Sequence, residues 1–243
     1  VRVAIVTDIH ANRQALEAVL EQIRAAECDA LWCLGDVVGY GADPDACTEL
    51  VREHADICLA GNHDLAVTGG LSVADFSDIA RRAAEWTGSV ISTETRLFLE
   101  SLSPSDETQV VSLYHASPRD PVWEYVLSPL QAELSFDVQP QRISIVGHTH
   151  VALAFHRFDG EGATGETRHE GDELDISAGY WLLNPGSVGQ PRDGDPRAAW
   201  LELDTEAWIA SWRRAEYDIE GAAWAIRAAR LPDALAERLS FGQ

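Results

Sequence analysis

The chain has no lysine and no methionine. Its 18 basic residues are all arginines, they face 40 carboxylates, and the formal charge is −22. A surface this anionic repels duplex DNA, RNA and acidic membranes unless a local patch inverts the field. No arginine run with interleaved aromatics supplies such a patch, and the pairs Arg81-Arg82 and Arg213-Arg214 read as solvated faces. Cysteine is scarce. Cys28, Cys33, Cys47 and Cys58 show no Cys-x-x-Cys spacing, which argues against a zinc knot or a disulfide framework. No secretory leader precedes Val1, and no apolar stretch reaches the roughly 18 residues that span a bilayer. These absences predict a cytoplasmic protein with neither duplex nucleic acid nor membrane as partner. They leave the oligomeric state open.

What is present begins with "VRVAIVTD", a β-branched run read as a buried strand. "ANRQALEAVLEQIRAAE" follows as an amphipathic helix, with Ala15, Leu16, Val19, Leu20 and Ile23 at helical spacing. "ALWCLGD" is a second strand. "DPDACTELVREHA" is a second helix, with Asp43 as N-cap and Pro44 at its first position. "DICLAGNHD" is a third strand running into a turn. This β-α-β-α-β opening predicts a parallel sheet under helical cover. Residues 73 to 102 read as helix, broken near Gly88. Beyond them the texture changes to short strands, a second and largely antiparallel or mixed sheet. Two pieces interrupt that sheet: a helical insertion at 118–136 and an acidic, Gly-rich, mobile loop at 159–173. The expectation is one domain over 1–243, with a core to about 204 and a helical tail over about 219–243.

The strand ends carry one kind of chemistry. The first ends in Asp8-Ile9-His10, the second in Gly35-Asp36 and the third in Gly61-Asn62-His63-Asp64. "VVSLYH" ends in His115, and "ISIVGHTH" in His148 and His150. Ligands of open α/β sheets bind at such carboxyl ends. Five of the eight histidines fall there. Asp8/His10 and His148/His150 are i, i+2 pairs, which strand alternation turns to one face. Each motif alone is weak, since Asp-x-His is often a capping pair and Gly-Asp a turn. The ordered set predicts a metal centre.

The order "DIH", "GDVVGYG", "GNHD", "H", "GHTH" resembles the calcineurin-like metallophosphoesterase superfamily, especially a small prokaryotic branch that shares an "NPGSVGQPR" segment. The resemblance spans residues 8 to about 200. It implies a four-layer αββα sandwich, two facing mixed sheets flanked by helices, with two divalent metals at one edge. One metal is expected on Asp8, His10, Asp36 and His150, and the other on Asp36, Asn62, His115 and His148. Oxygen and imidazole ligands without thiolate suit Mn, Fe, Zn, Co or Ni. The implied reaction is hydrolysis of a small phosphate ester or anhydride, as a phosphatase or phosphodiesterase and on nucleotides among other substrates, by a hydroxide held between the metals. His63 falls outside the ligand set. It is read as a general acid or charge stabiliser facing the phosphate, or else as a turn histidine. Asn62 is also placed near substrate.

In "GDVVGYG" the Asp and Arg of the protein-phosphatase pattern are replaced by Gly39 and Tyr40, which argues against a phosphoprotein substrate. Asp64 is the nearest substitute to orient His63. Asn12 either caps the first helix or bonds a phosphate. Arg119 either reaches a phosphate or forms a surface ion pair. Trp123 and Tyr125 pack in the core or stack on a base. Asn184 either sits in an ordinary turn or braces a ligand histidine. Competing readings are a nuclease of the same superfamily and a non-catalytic metal-binding scaffold.

Overall fold

The computed structural model describes residues 1–243. Its opening follows the β-α-β-α-β pattern: β1 (Arg2–Val6), α1 (Arg13–Ala25), β2 (Ala30–Cys33), α2 (Pro44–His54) and β3 (Ile57–Cys58). α1 buries Ala15, Leu16, Val19, Leu20 and Ile23, the stripe its periodicity predicts. Asp43 stands at the N-cap of α2, yet its side chain makes no cap bond. β3 is cut short because the chain turns at Gly61 straight into α3 (Asn62–Thr68). α4 (Asp78–Val90) and α5 (Thr93–Glu100) follow. The helical break falls at Ile91-Ser92 rather than Gly88, since the Ser92 hydroxyl accepts from the Thr95 amide and caps α5.

The second half contains β4 (Ser105–Glu107), β5 (Val111–Tyr114), α6 (Pro129–Phe136), β6 (Ile143–Ile145), β7 (Ala152–Arg157), β8 (Thr164–Thr167), β9 (Glu173–Asp175) and β10 (Tyr180–Pro185). It closes with β11 (Ala198–Asp204), β12 (Ile209–Ala215), α7 (Ile219–Ala228) and α8 (Asp233–Glu237). Only Pro129–Phe136 of the expected helical insertion is an α-helix. The acidic stretch 159–173 is not a bare loop: β8 within it pairs antiparallel with β7.

Two mixed six-stranded sheets result, in the orders β3-β2-β1-β11-β12-β9 and β4-β5-β6-β10-β7-β8. The division does not follow the two halves of the chain, because β9, β11 and β12 return to the first sheet. Within the sheets β1 and β2, β2 and β3, β5 and β6, and β6 and β10 are parallel.

Strand alternation builds the layers. Val3 and Ile5 of β1, Trp32 of β2 and Leu201 and Leu203 of β11 face Val111, Leu113, Ile143, Ile145 and Leu183 of the other sheet. Their alternates Ala4, Val6, Leu31, Cys33 and Trp200 face α1 and α2. Phe136 of α6 packs on the outer face of the second sheet with Phe155 and Leu182. The fold is therefore an αββα sandwich. Each fully buried Ile or Leu in the inter-sheet layer contributes roughly 1.5–3 kcal/mol. The Trp212 indole N–H crosses the sandwich to the Asn184 carbonyl at 2.9 Å.

α7 and α8 pack through Ala222, Ala223, Ile226, Leu235 and Ala236 against Ala83 of α4, with Tyr40 and Trp86 beside them. No helix is long and apolar enough to cross a membrane. All four cysteines are unpaired. One charge expectation is corrected. Arg214 is buried rather than solvated, because it pairs with Asp193 and donates to the Arg197 carbonyl at 3.1 Å. Arg81 stays at the surface with Asp78 and Glu85.

Candidate metal centre

The strand ends converge as anticipated, but turns do the aiming. Asp8, His10, Asp36, His148 and His150 all lie just beyond strands, each with φ between +50° and +64°. Strand alternation therefore does not set the two i, i+2 pairs. Left-handed backbone at non-glycine residues costs about 1–3 kcal/mol each and tends to collect at functional sites. The turns also need space. A Cβ on Gly61 would overlap the Asp36 carboxylate, and one on Gly147 would overlap the Thr7 hydroxyl.

Both carboxylates divide their oxygens between support and the centre. Asp8 Oδ2 accepts from the Thr7 hydroxyl at 2.9 Å and the His148 amide at 3.0 Å. Asp8 Oδ1 is buried with no hydrogen-bond partner and lies 3.4 Å from His150 Nε2. Asp36 Oδ1 accepts from the His63 amide at 2.8 Å. Asp36 Oδ2 lies 3.5 Å from His10 Nε2 and 3.6 Å from His115 Nε2, between two histidines of different elements.

The imidazoles are held the same way. His10 Nδ1 donates to the Val38 carbonyl at 3.1 Å and His150 Nδ1 to the Gln190 carbonyl at 2.7 Å. A carbonyl only accepts, so each Nδ1 carries the proton. Burial, the largest cause, pushes both rings well below the usual histidine range, which keeps them neutral. Two Nε2 lone pairs then face each other at 3.2 Å. That contact is repulsive unless a cation lies between them. His115 Nδ1 donates to the Leu34 carbonyl at 2.8 Å and aims Nε2 at Asn62 Oδ1, 3.2 Å away. His148 Nε2 is buried without a partner. Burial also lifts Asp8 to about 7 and Asp36 well above the carboxylate range. Such a cluster strongly disfavours its own charges in the absence of cations.

Potential ligands gather as Asp8, His10 and His150, and as Asp36, His115 and His148, the ligand atoms of each group lying within 4.8 Å of one another. His10, Asp36 and His63 form an overlapping third group. The donor set fits divalent metal: oxygen and imidazole, buried, with orphaned lone pairs and outer N–H groups fixed by carbonyls.

A model of the calcineurin-like phosphoesterase superfamily domain matches residues 1–206. The chain belongs to that superfamily. It is 39% identical over 247 residues to an uncharacterized protein of Methanocaldococcus jannaschii, covering 99% of this chain and 98% of the other. It is similar to the crystal structure of a metallophosphoesterase from Sphaerobacter thermophilus, with 40% identity, TM-score 0.90, and 100% and 99% of the two chains covered. A hypothetical protein from Pyrococcus horikoshii shares the fold at 18% identity and TM-score 0.82, over 100% and 98% of the chains. Membership supports phosphoesterase hydrolase activity.

A polar cleft of about 360 Å³ opens over the candidate ligand cluster of this superfamily member. Asp36, Asn62, His63, His148 and His150 border it, with Tyr40, Phe76, Trp123, Tyr125, Arg192 and Arg238 around them. His63 is buried between Tyr40, at 4.4 Å, and Phe76, at 4.9 Å, with Nδ1 unpartnered. Its pKa is pushed down to about 3 by burial, then by Arg192 and His115. Asp64 does not orient it. That carboxylate accepts instead from the amides of Gly61, Val37 and Val38 at 2.9, 3.2 and 3.1 Å, tying the Asp36 turn to α3.

Three open alternatives are decided, and the phosphate-contact readings of Asn12 and Arg119 are corrected. Asn12 does not border the cleft. It caps α1 by accepting from the Ala15 amide at 3.2 Å and donates to the Gly189 carbonyl at 2.9 Å. Arg119 does not border it either, because Glu124 binds its guanidinium at 2.9 Å. Trp123 and Tyr125 are not core residues: both border the cleft, and Tyr125 stacks on His148 at 4.1 Å. The missed residues are Arg192 and Arg238. Arg192 closes the quoted "NPGSVGQPR" segment, a signal the sequence did carry. Arg238 lies in the C-terminal tail, where nothing local marks it.

Asn184 donates to the Gly147 carbonyl at 2.8 Å and the Thr149 hydroxyl at 2.9 Å, bracing the turn that presents His148 and His150. Asn184→Ala is expected to weaken divalent-metal affinity about 10- to 100-fold while the fold persists. Metal titration followed by circular dichroism checks this, and an unchanged affinity would show that the brace is dispensable.

Proposed function

We propose that the chain is a dinuclear metal-dependent hydrolase of small phosphate esters or anhydrides. The facing lone pairs of His10 and His150 carry this reading, together with Asp36 Oδ2 standing between His10 and His115. Asp8, His10, Asp36 and His150 would hold one divalent ion. Asp36, Asn62, His115 and His148 would hold the other, with Mn, Fe, Zn, Co or Ni as suitable metals. When bound, such a pair activates water and neutralises phosphoryl oxygens. Two dications less the charges of Asp8 and Asp36 leave a cationic floor that attracts a compact phosphate.

The remaining chemistry belongs to the chain. Arg192 stands beside the ligands, its amide bonded to the His150 carbonyl at 3.0 Å, and brings its guanidinium to the cleft. His63 has no carboxylate bonded to its ring, and burial holds it neutral. It therefore acts by donating an N–H hydrogen bond to charge developing on the phosphoryl group, rather than by giving up a proton. The surface charge and the cleft volume of about 360 Å³ favour a small soluble substrate over an oligonucleotide. The unpaired cysteines suit a reducing cytoplasm.

The test is the metal-reconstituted protein on a nitrophenyl monoester, a nitrophenyl diester, a cyclic nucleotide and a dinucleoside polyphosphate. We expect metal-dependent turnover of at least one, abolished by chelation and restored by readdition. No turnover above background with metal bound would leave a binding scaffold in place of an enzyme.

A further inference from the structure

The cleft carries more positive charge than one phosphate needs. Arg192 and Arg238 approach it from well-separated points in the chain's C-terminal part. Arg192 donates to Gln190 Oε1 at 2.9 Å, and Arg238 donates to the same oxygen at 3.2 Å. Two guanidinium groups thus share one neutral acceptor. Neither forms an ion pair, in a chain with 40 carboxylates, although Asp75 borders the same cleft. Arg192 Nε is buried with no hydrogen-bond partner. Its guanidinium lies over the Tyr40 ring at 5.9 Å. The arrangement is coupled to the ligand cluster, because the Gln190 carbonyl holds His150 Nδ1. Adjacent like charges with no carboxylate in ion-pair reach are relieved when an anion occupies the space between them.

We infer that Arg192 and Arg238 form a second-phosphate subsite, so that the cleft selects substrates whose scissile phosphate is joined to another phosphate. This rests on the dinuclear reading above for the first phosphate. Guanidinium forks match phosphate oxygens in pairs, which a single ammonium cannot do. The superfamily match ends at residue 206, and Arg238 lies beyond it. The C-terminal helices therefore serve recognition: the packing of α7 and α8 beside Tyr40 delivers Arg238 to the cleft.

Two non-hydrolysable probes test the subsite, methylphosphonate and methylenediphosphonate. Each is titrated calorimetrically into the full chain at constant free Mn²⁺. The wild type should bind the bisphosphonate more tightly. The two metals contribute to that preference, so the decisive reading is its change on mutation. Arg238→Gln should weaken methylenediphosphonate binding about tenfold or more and methylphosphonate binding less than about threefold. Arg238→Lys, which keeps the charge and the fold, should recover part of the loss. An equal effect on both probes, or none on either, overturns the subsite. If the chain binds none of Mn²⁺, Fe²⁺, Zn²⁺, Co²⁺ and Ni²⁺, the dinuclear reading fails by itself. The two arginines are still tested then, because the same ratio is measured on metal-free protein.

Discussion

On the dinuclear reading, replacing Asp36 by asparagine is expected to reduce bound divalent metal from two ions per chain to one or none, and turnover by at least about 10³-fold. The substitution is nearly isosteric, so the loss is one of charge and of donor chemistry. Asp36 Oδ1 is already engaged by the His63 amide, which leaves Oδ2 as the only oxygen facing both His10 and His115. An amide nitrogen at that position would direct N–H bonds at the two Nε2 lone pairs and satisfy them without any metal. The same change should leave the metal-free fold at least as stable, since burial already disfavours the Asp36 carboxylate. Elemental analysis after dialysis, turnover on a nitrophenyl ester and a melting curve separate these effects. Retention of two ions by a folded Asp36→Asn variant would remove the shared carboxylate from the account.

The part of the centre that was legible in the sequence was its composition. Asp8, His10, Asp36, Asn62, His115, His148 and His150 each follow a recognisable strand, and strand ends of parallel sheets are where ligands meet. The means of aiming was not legible. Alternation on a strand explains i, i+2 pairs economically, yet the structure uses left-handed turns at five of the candidate ligand positions. Left-handed aspartate and histidine leave little local trace, because the compensation is tertiary: Asp8 Oδ2 is held by a neighbour from the other sheet, the His148 amide.

The fold was legible where hydrophobic period and length agreed, as in α1, and obscure where they did not. β8 lies in a stretch of glycine and glutamate whose strand character comes only from pairing with β7. The return of β9, β11 and β12 to the first sheet is a long-range choice that no local pattern encodes. Arg119 and Arg238 give the sharpest contrast. Arg119 follows a ligand motif closely and is neutralised by Glu124. Arg238 follows none and reaches the cleft because the alanine-rich faces of α7 and α8 pack beside it. Proximity in sequence to a motif therefore said less about phosphate contact than the availability of a carboxylate partner.

His63→Ala should lower kcat about 10²- to 10³-fold with metal content unchanged, the usual scale for losing one preorganised donor to transition-state charge. The ring lies outside both ligand groups of the proposed dinuclear site, and its backbone amide, which supports Asp36, survives the substitution. The size of the loss does not by itself distinguish a hydrogen-bond donor from a general acid. Leaving-group dependence does. A general acid matters most for a poor leaving group such as an alkoxide and least for nitrophenolate. A neutral donor to the phosphoryl oxygens affects both alike. The structure favours the donor: burial and two neighbouring groups drive His63 to about 3, and no carboxylate stands ready to hold a proton on it. The expected result is an equal fall, within about threefold, on nitrophenyl and alkyl monoesters, with His63→Gln regaining about tenfold through its amide N–H. A fall confined to the alkyl ester would assign His63 the acid role instead, and would require the bound substrate to raise its pKa by several units.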